Sequence, residues 1–158
     1  MLFYYSKKDN ELCYSEKNNN KICFYDLFER KIISSIKDIS KYNEIETFII
    51  IKKDLLLIPG YNQLSIINTN KYKLIRKIDV PNSSNITGIC LLNKYMLLTG
   101  DCSEIIRQWK IEGDNLILIS KKEKAHDYDI NVLLNMGNGF IESGSDDNTI
   151  KIWQIKKK

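Results

Sequence analysis

The sequence predicts an all-β chain built from repeated four-stranded antiparallel sheets, and three observations lead there. Strand formers dominate its 158 residues, chiefly Ile, Leu and Tyr, whereas only 7 Gly and 2 Pro are present. Short apolar runs such as Phe48-Ile49-Ile50-Ile51, Leu55-Leu56-Leu57-Ile58 and Ile89-Cys90-Leu91-Leu92 lack polar alternation, as strands with both faces buried do. Finally, a unit of glycine, polar turn, strand and tryptophan recurs: Gly100 and Gly144 are 44 residues apart, and so are Trp109 and Trp153.

The units are clearest at the C-terminal end. In Ser143-Gly144-Ser145-Asp146-Asp147-Asn148-Thr149-Ile150-Lys151-Ile152-Trp153, Asp-Asp-Asn separates two apolar stretches. Asn and Asp tolerate left-handed dihedrals and bond their own backbone, so this is a turn between strands. Leu98-Thr99-Gly100-Asp101-Cys102-Ser103-Glu104-Ile105-Ile106-Arg107-Gln108-Trp109 repeats the design one period earlier. Before it, Gly60 precedes Gly100 by 40 residues, and Ile67-Asn68 takes the place of the tryptophan after a one-residue deletion. Earliest, Tyr25-Asp26 occupies that place.

In chain order, the first unit has strands at 2–6, 11–15, 21–26 and 31–36, with a Lys7-Lys8-Asp9-Asn10 turn and a polar tip from Glu16 to Asn20. Residues 37–44 connect it to strands at 45–51, 55–58, 63–67 and 72–78, whose tip is 59–62. Pro81-Asn82-Ser83-Ser84 is a loop by composition. Strands at 86–92, 95–99, 104–109 and 116–122 follow it. The last unit has strands at 130–134, 140–143 and 149–155 around a turn at 137–139, and then a lysine tail, with no outer strand. A β-sandwich also has short, evenly spaced strands, but it predicts no unit recurring at 40 and 44 residues.

The repeat resembles the WD-repeat family of β-propellers, whose unit opens with Gly-His, ends with Trp-Asp and spans roughly 40–45 residues. Ala125-His126 and Trp153-Gln154 stand at those two landmarks, 27 residues from histidine to tryptophan. The resemblance covers nearly the whole chain and implies a single propeller domain over 1–158, with blades at about 2–36, 45–78, 86–122 and 130–155. The last blade lacks its outer strand. It further implies that His126, Ser143, Asp147 and Trp153 form the family's buried hydrogen-bonded tetrad. The third unit keeps Thr99 and Trp109 but has Ser103 at the aspartate position and no histidine in 79–85, and the second keeps neither histidine nor tryptophan.

His126, Ser143 and Asp147 are also the parts of a hydrolase triad. No Gly-x-Ser-x-Gly elbow is present to expose the serine. No phosphate-cradling glycine loop, paired-carboxylate signature or metal-ligand cluster favours an enzyme either. Cys13, Cys23, Cys90 and Cys102 show no Cys-x-x-Cys spacing and the chain has 1 His, so neither a metal site nor a cofactor is expected. The net charge of +4 comes from scattered lysines beside acidic residues, which predicts a solvated surface and makes nucleic acid the minor alternative. No apolar run approaches the ~20 residues of a membrane span. Cysteine usage and the missing span predict the cytosol or nucleus.

Closure of the ring stays open at this level. Three full units and three strands of a fourth suit a fragment of a longer propeller, a four-blade ring with a missing strand, or an open arc completed by a partner or a second copy. The first and last of these fit best. The resemblance implies a non-catalytic scaffold that binds proteins or peptides on its loops, with Tyr61, Asp101, Tyr128 and Asp146 as candidate contacts. The alternative is a nucleic-acid-binding or regulatory propeller fragment of a larger multidomain protein.

Overall fold

The inner strands of the two middle sheets have an apolar core on each side, and that doubles the demand for hydrophobic residues along them. The computed structural model describes residues 3–6, 10–16, 20–39, 45 and 47–155. The expected turn at 7–9, most of the tip at 17–19, the connector at 40–44 and the lysine tail lie outside the described residues. The chain is all-β. Sheet 1 contains β1 (Phe3–Ser6), β2 (Glu11–Glu16), β3 (Lys21–Asp26) and β4 (Lys31–Ile36). Sheet 2 contains β5 (Ile49–Lys52), β6 (Leu55–Gly60), β7 (Gln63–Asn68) and β8 (Lys73–Asp79). Sheet 3 contains β9 (Ile86–Asn93), β10 (Met96–Asp101), β11 (Ile106–Glu112) and β12 (Asn115–Lys122). Sheet 4 has three strands, β13 (Ile130–Gly137), β14 (Phe140–Ser145) and β15 (Ile150–Gln154). Each sheet is an antiparallel meander in sequence order.

Three cores join consecutive sheets. Cys13, Ile22 and Phe24 of sheet 1 pack with Leu56, Ile58 and Ile67 of sheet 2. Leu57, Leu64 and Ile66 of sheet 2 pack with Leu97, Trp109 and Ile111 of sheet 3. Cys90, Leu98 and Ile106 of sheet 3 pack with Ile130, Leu133 and Ile141 of sheet 4. Successive residues therefore go to opposite cores: Leu56 and Ile58 face sheet 1, while Leu57 between them faces sheet 3. Strand β9 packs against β5 on one side and β13 on the other. The outcome is an open, propeller-like stack of four sheets. The outer strands β8 and β12 carry mostly exposed residues, as their lysines and serine require.

Sheets 3 and 4 share one hydrogen-bond register. The pairs Leu97↔Trp109, Thr99↔Arg107 and Gly100↔Ile106 become Ile141↔Trp153, Ser143↔Lys151 and Gly144↔Ile150 on adding 44 to each number. The bulges shift by the same interval, between Gly100 and Asp101 opposite Ile86 and again opposite Ile130. Sheet 2 departs from this pattern because its tip is a two-residue turn, Tyr61-Asn62, instead of a longer one. Leu56 pairs with Ile67, which faces the preceding sheet as Trp109 does, so Pro59 rather than Gly60 stands in the place of Gly100. Several strand limits also shift. Strand β5 begins at Ile49 rather than 45, and β11 begins at Ile106 rather than 104. The latter shift has a local cause: Asp101 Oδ1 accepts the Ser103 and Ile105 N–H groups at 2.9 and 3.2 Å, which holds 101–105 as a turn. Asn62, Asn138 and Asn148 sit at turn positions with φ of 54°, 53° and 62°, the left-handed region that asparagine tolerates.

A second repeated contact fastens each connector to the sheet it enters. Ser65 Oγ donates to the Ile39 carbonyl at 2.6 Å, Arg107 to the Asn82 carbonyl at 2.9 Å, and Lys151 Nζ to the Ala125 carbonyl at 2.9 Å. All three donors lie two residues before the tryptophan position of their third strand. Among the described residues no helix is long and apolar enough to cross a membrane.

Leu57 is fully buried in the core between sheets 2 and 3, whereas Ile75 of β8 is 37% exposed. Leu57→Ala is expected to cost about 2–5 kcal/mol through lost burial and a residual cavity. Ile75→Ala should stay within about 0.5 kcal/mol, since it touches no core. Urea unfolding followed by circular dichroism reads both; equal effects would mean the stack is not stabilised between its sheets.

Candidate functional site

The polar residues singled out in sheet 4 converge. Strand β15 places Trp153 opposite Ile141 on β14, and two residues further along β14 lies Ser143, inside the core and fully buried. Trp153 Nε1–H donates to Ser143 Oγ at 2.8 Å. Ser143 Oγ lies 2.7 Å from His126 Nε2, and His126 Nδ1 lies 2.7 Å from Asp147 Oδ2. One tautomer satisfies every group: the Ser143 hydroxyl donates to Nε2, and Nδ1–H donates to the carboxylate. His126 is itself fully buried. The polar chain thus runs from the third strand, through the second, to the loop before the first, and ends on the turn between the second and third strands.

Asp147 closes this chain and also shapes the turn. Its carboxylate accepts the Thr149 hydroxyl at 2.6 Å, the Asp127 N–H at 3.1 Å and the Thr149 N–H at 2.9 Å. Burial opposes its ionisation. The bonds from the Thr149 hydroxyl, the Asp127 N–H, His126 and the Thr149 N–H outweigh that effect and hold the carboxyl well below the usual carboxylate range.

Sheet 3 keeps half of this arrangement. Trp109 Nε1–H donates to Thr99 Oγ1 at 2.9 Å, in the register of Trp153 and Ser143. Where the histidine network would continue, a buried ion pair stands instead. The Arg107 guanidinium bonds the Asp101 carboxylate and reaches the carbonyls of the 81–82 loop, and Ser83 Oγ donates to Asp101 Oδ2 at 2.8 Å. Asp101, expected as a contact on the loop rim, is fully buried and committed to this pair, so it is not available to a partner. Sequence reading missed the pair because Arg107 sits in a polar alternation that suits a wet face. The one usable signal was its place two residues before Trp109, the position of Lys151 before Trp153.

The remaining candidate contacts are exposed to different degrees. Tyr128 is 64% exposed and Tyr61 is 36% exposed, the latter bridged to Asn85. Asp146 is exposed at the tip, where its carboxylate accepts the Asn131 side-chain amide and its N–H donates to the Asp129 carbonyl at 3.1 Å. Ser145 Oγ donates to the Tyr128 carbonyl at 3.1 Å. The loop carrying Tyr128 and the turn carrying Asp146 are therefore one fastened unit, while Tyr61 belongs to a different sheet.

Cys13 and Cys90 lie in the apolar cores, and burial pushes their thiols up to about 12 and about 11. Among the described residues no group of three or more His, Cys, Asp or Glu is placed to hold a metal ion.

No protein-family model matches the sequence, and no curated protein matches it. Solved structures do match the fold. A chain in the crystal structure of a mitotic checkpoint complex superposes with a TM-score of 0.76 at 13% identity, over 98% of this chain and 48% of that one. The chain thus spans about half the length of that neighbour, and the two share a fold of repeated antiparallel sheets.

His126→Ala is expected to lower stability by about 1–3 kcal/mol, because it strands the Ser143 and Asp147 partners in a buried site. An unchanged melting curve would reject a structural role for the network. Asp147 also gives stability a pH dependence. Its folded carboxyl ionises more readily than the unfolded one, so its contribution is complete above the unfolded value near 4 and is lost as the pH falls below it. The melting temperature should decline more steeply from pH 5 to about pH 2 in the native chain than in Asp147→Asn, and parallel curves would exclude this coupling.

Proposed function

We propose that the chain is a WD-repeat-type propeller segment that works as a non-catalytic protein-interaction scaffold. The observation that carries this reading is the fastened rim of sheet 4. Beneath it, the His126 network ties the 127–129 loop to the 145–148 turn. Above it, Tyr128 stands 64% exposed, with Asp146 beside it on the same unit. An aromatic side chain held out by a rigid backbone binds with little loss of conformational freedom, which suits it to a protein or peptide contact.

The same burial speaks against chemistry at this place. A serine nucleophile needs an open approach to its oxygen, and Ser143 Oγ is enclosed and already engaged by both His126 and Trp153. The aspartate, histidine and serine therefore act as a brace under this proposal, despite their triad-like order. The structural neighbour is a chain of a mitotic checkpoint complex, which fits a scaffold without naming a partner. The four cysteines, none of them in a Cys-x-x-Cys spacing, support placing the protein in the cytosol or nucleus. Completion of the open stack by another chain belongs to the same reading.

Tyr128→Ala, Asp146→Ala and the pair together provide the test, because all three change exposed positions and leave the brace intact. Crosslinked pull-downs with the native chain should recover partners that the double variant loses, with Tyr61→Ala as a comparison on a different sheet. Recovery of the same partners by the double variant would remove the sheet 4 rim from the binding surface.

A further inference from the structure

The outward face of sheet 4 is a copy of a face that the structure elsewhere buries. Leu134, Glu142 and Ile150 stand 44 residues after Cys90, Leu98 and Ile106 and share their register. In sheet 3 those three are 7%, 3% and 7% exposed, because sheet 4 covers them. In sheet 4, Leu134 is 55% exposed and Ile150 74%, and Ile152 and Val132 beside them are 61% and 54% exposed. Such a set of bare apolar side chains on the two strands that flank β14 marks an interaction surface. Its occupant is defined by what lies on the equivalent face: another sheet of the same construction, presenting the side that carries its tryptophan position.

This chain itself contains such a side, which joins none of the three cores among the described residues. Cys13, Ile22 and Phe24 of sheet 1 face sheet 2, so Leu12 and Tyr25, which pair with each other, face the opposite way. Tyr25 stands at the tryptophan position of sheet 1. Between sheets 3 and 4, Leu98 and Trp153 belong to one core. Between sheet 4 and the sheet 1 of another chain, Glu142 and Tyr25 would hold those two places. The apolar pair is replaced on both sides at once, by a carboxylate that accepts and a phenol that donates.

We propose that a second copy of this chain docks its sheet 1 on the sheet 4 face, head to tail, with the Tyr25 hydroxyl donating to the Glu142 carboxylate. This rests on the reading of the chain as part of a propeller-type stack. The reciprocal contact closes two four-sheet arcs into one ring, since a head-to-tail contact forms a closed assembly when its rotation returns on itself. Eight sheets are within the usual range of about 4–8 for such rings. One copy covers 48% of the structural neighbour's chain, so two copies approach its length.

Light scattering on the full chain across a concentration series is the test. The expected mass is twice 18.5 kDa. Leu134→Glu and Ile150→Lys alter exposed residues, so each should give a folded monomer with an unchanged far-ultraviolet spectrum. Tyr25→Phe and Glu142→Ala should each weaken dimerisation about a hundredfold, the weight of two hydrogen bonds to charged groups, one at each contact of the ring, and the double variant should be no weaker than either. A chain that stays monomeric, a dimer that survives Ile150→Lys, or a mass that grows without limit overturns the proposal. A monomer that captures a different protein through the same face overturns it too. Tyr128→Ala with Asp146→Ala should leave the mass unchanged, so partner recovery that survives this double variant alongside an intact dimer would count against the scaffold surface alone.

Discussion

The constraint on which this structure depends is that a small antiparallel sheet cannot shelter two apolar faces by itself. Leu56, Leu57 and Ile58 are consecutive and all buried, which is possible only with a neighbour on each side of the strand. Stacking satisfies sheet 2 and sheet 3 on both faces and fixes the order of everything else. The inner strands approach one another, the outer strands β8 and β12 turn wet, and the tips and connectors gather where the sheets are joined. The fold is a solution to burial first, and its loop surface follows from that.

Glycine at one repeated position shows how tightly the stack is drawn. A Cβ added to Gly100 would come within 2.6 Å of Ile130 Cγ2 on the next sheet, so the close approach of sheets 3 and 4 needs a residue without a side chain there. Gly144 repeats the position on the outward face of sheet 4, where the nearest side chain is Val132 of its own sheet, at 2.8 Å. Sheet 2 has Pro59 in that place, beside a two-residue turn, and its contacts with sheet 3 run through Leu57, Leu64 and Ile66 instead.

Sheets 3 and 4 were legible in the sequence because period, turn chemistry and tryptophan spacing all agree there. Strand existence and order were legible throughout, since apolar runs broken by Asn-rich turns leave little choice. The limits of β5 and β11 were less so. Residues 103–105 carry an apolar Ile105 that suits a strand, but the Asp101 carboxylate captures the backbone there and delays the strand to Ile106. The Arg107–Asp101 pair was hidden for a related reason. A charged residue in a strand is ordinarily read as solvated, and only the fold shows that the carbonyls of 81–82 and the Asp101 carboxylate enclose this one. Asp101 then follows as a brace and not a contact. The bare face of sheet 4 was legible as a consequence of an open arc but not residue by residue, because Leu134, Ile150 and Ile152 have the composition of a core in any reading of the sequence alone.

The polar devices are distributed according to the packing available. Sheet 2 has a core on both faces, and at the serine and tryptophan positions it places Ile58 and Ile67, which need no hydrogen bonds. Sheet 3 also has two cores; it keeps Thr99 with Trp109 and adds a charged clamp on its incoming loop. Sheet 4 has one core among the described residues, and it alone carries the whole chain from Trp153 through Ser143 and His126 to Asp147. Apolar packing is non-directional and tolerates many tip geometries, whereas a saturated polar chain admits one. Sheet 4, with its one core, is held by the interaction that defines geometry best. That same rigidity presents Tyr128 and Asp146 in a fixed relation.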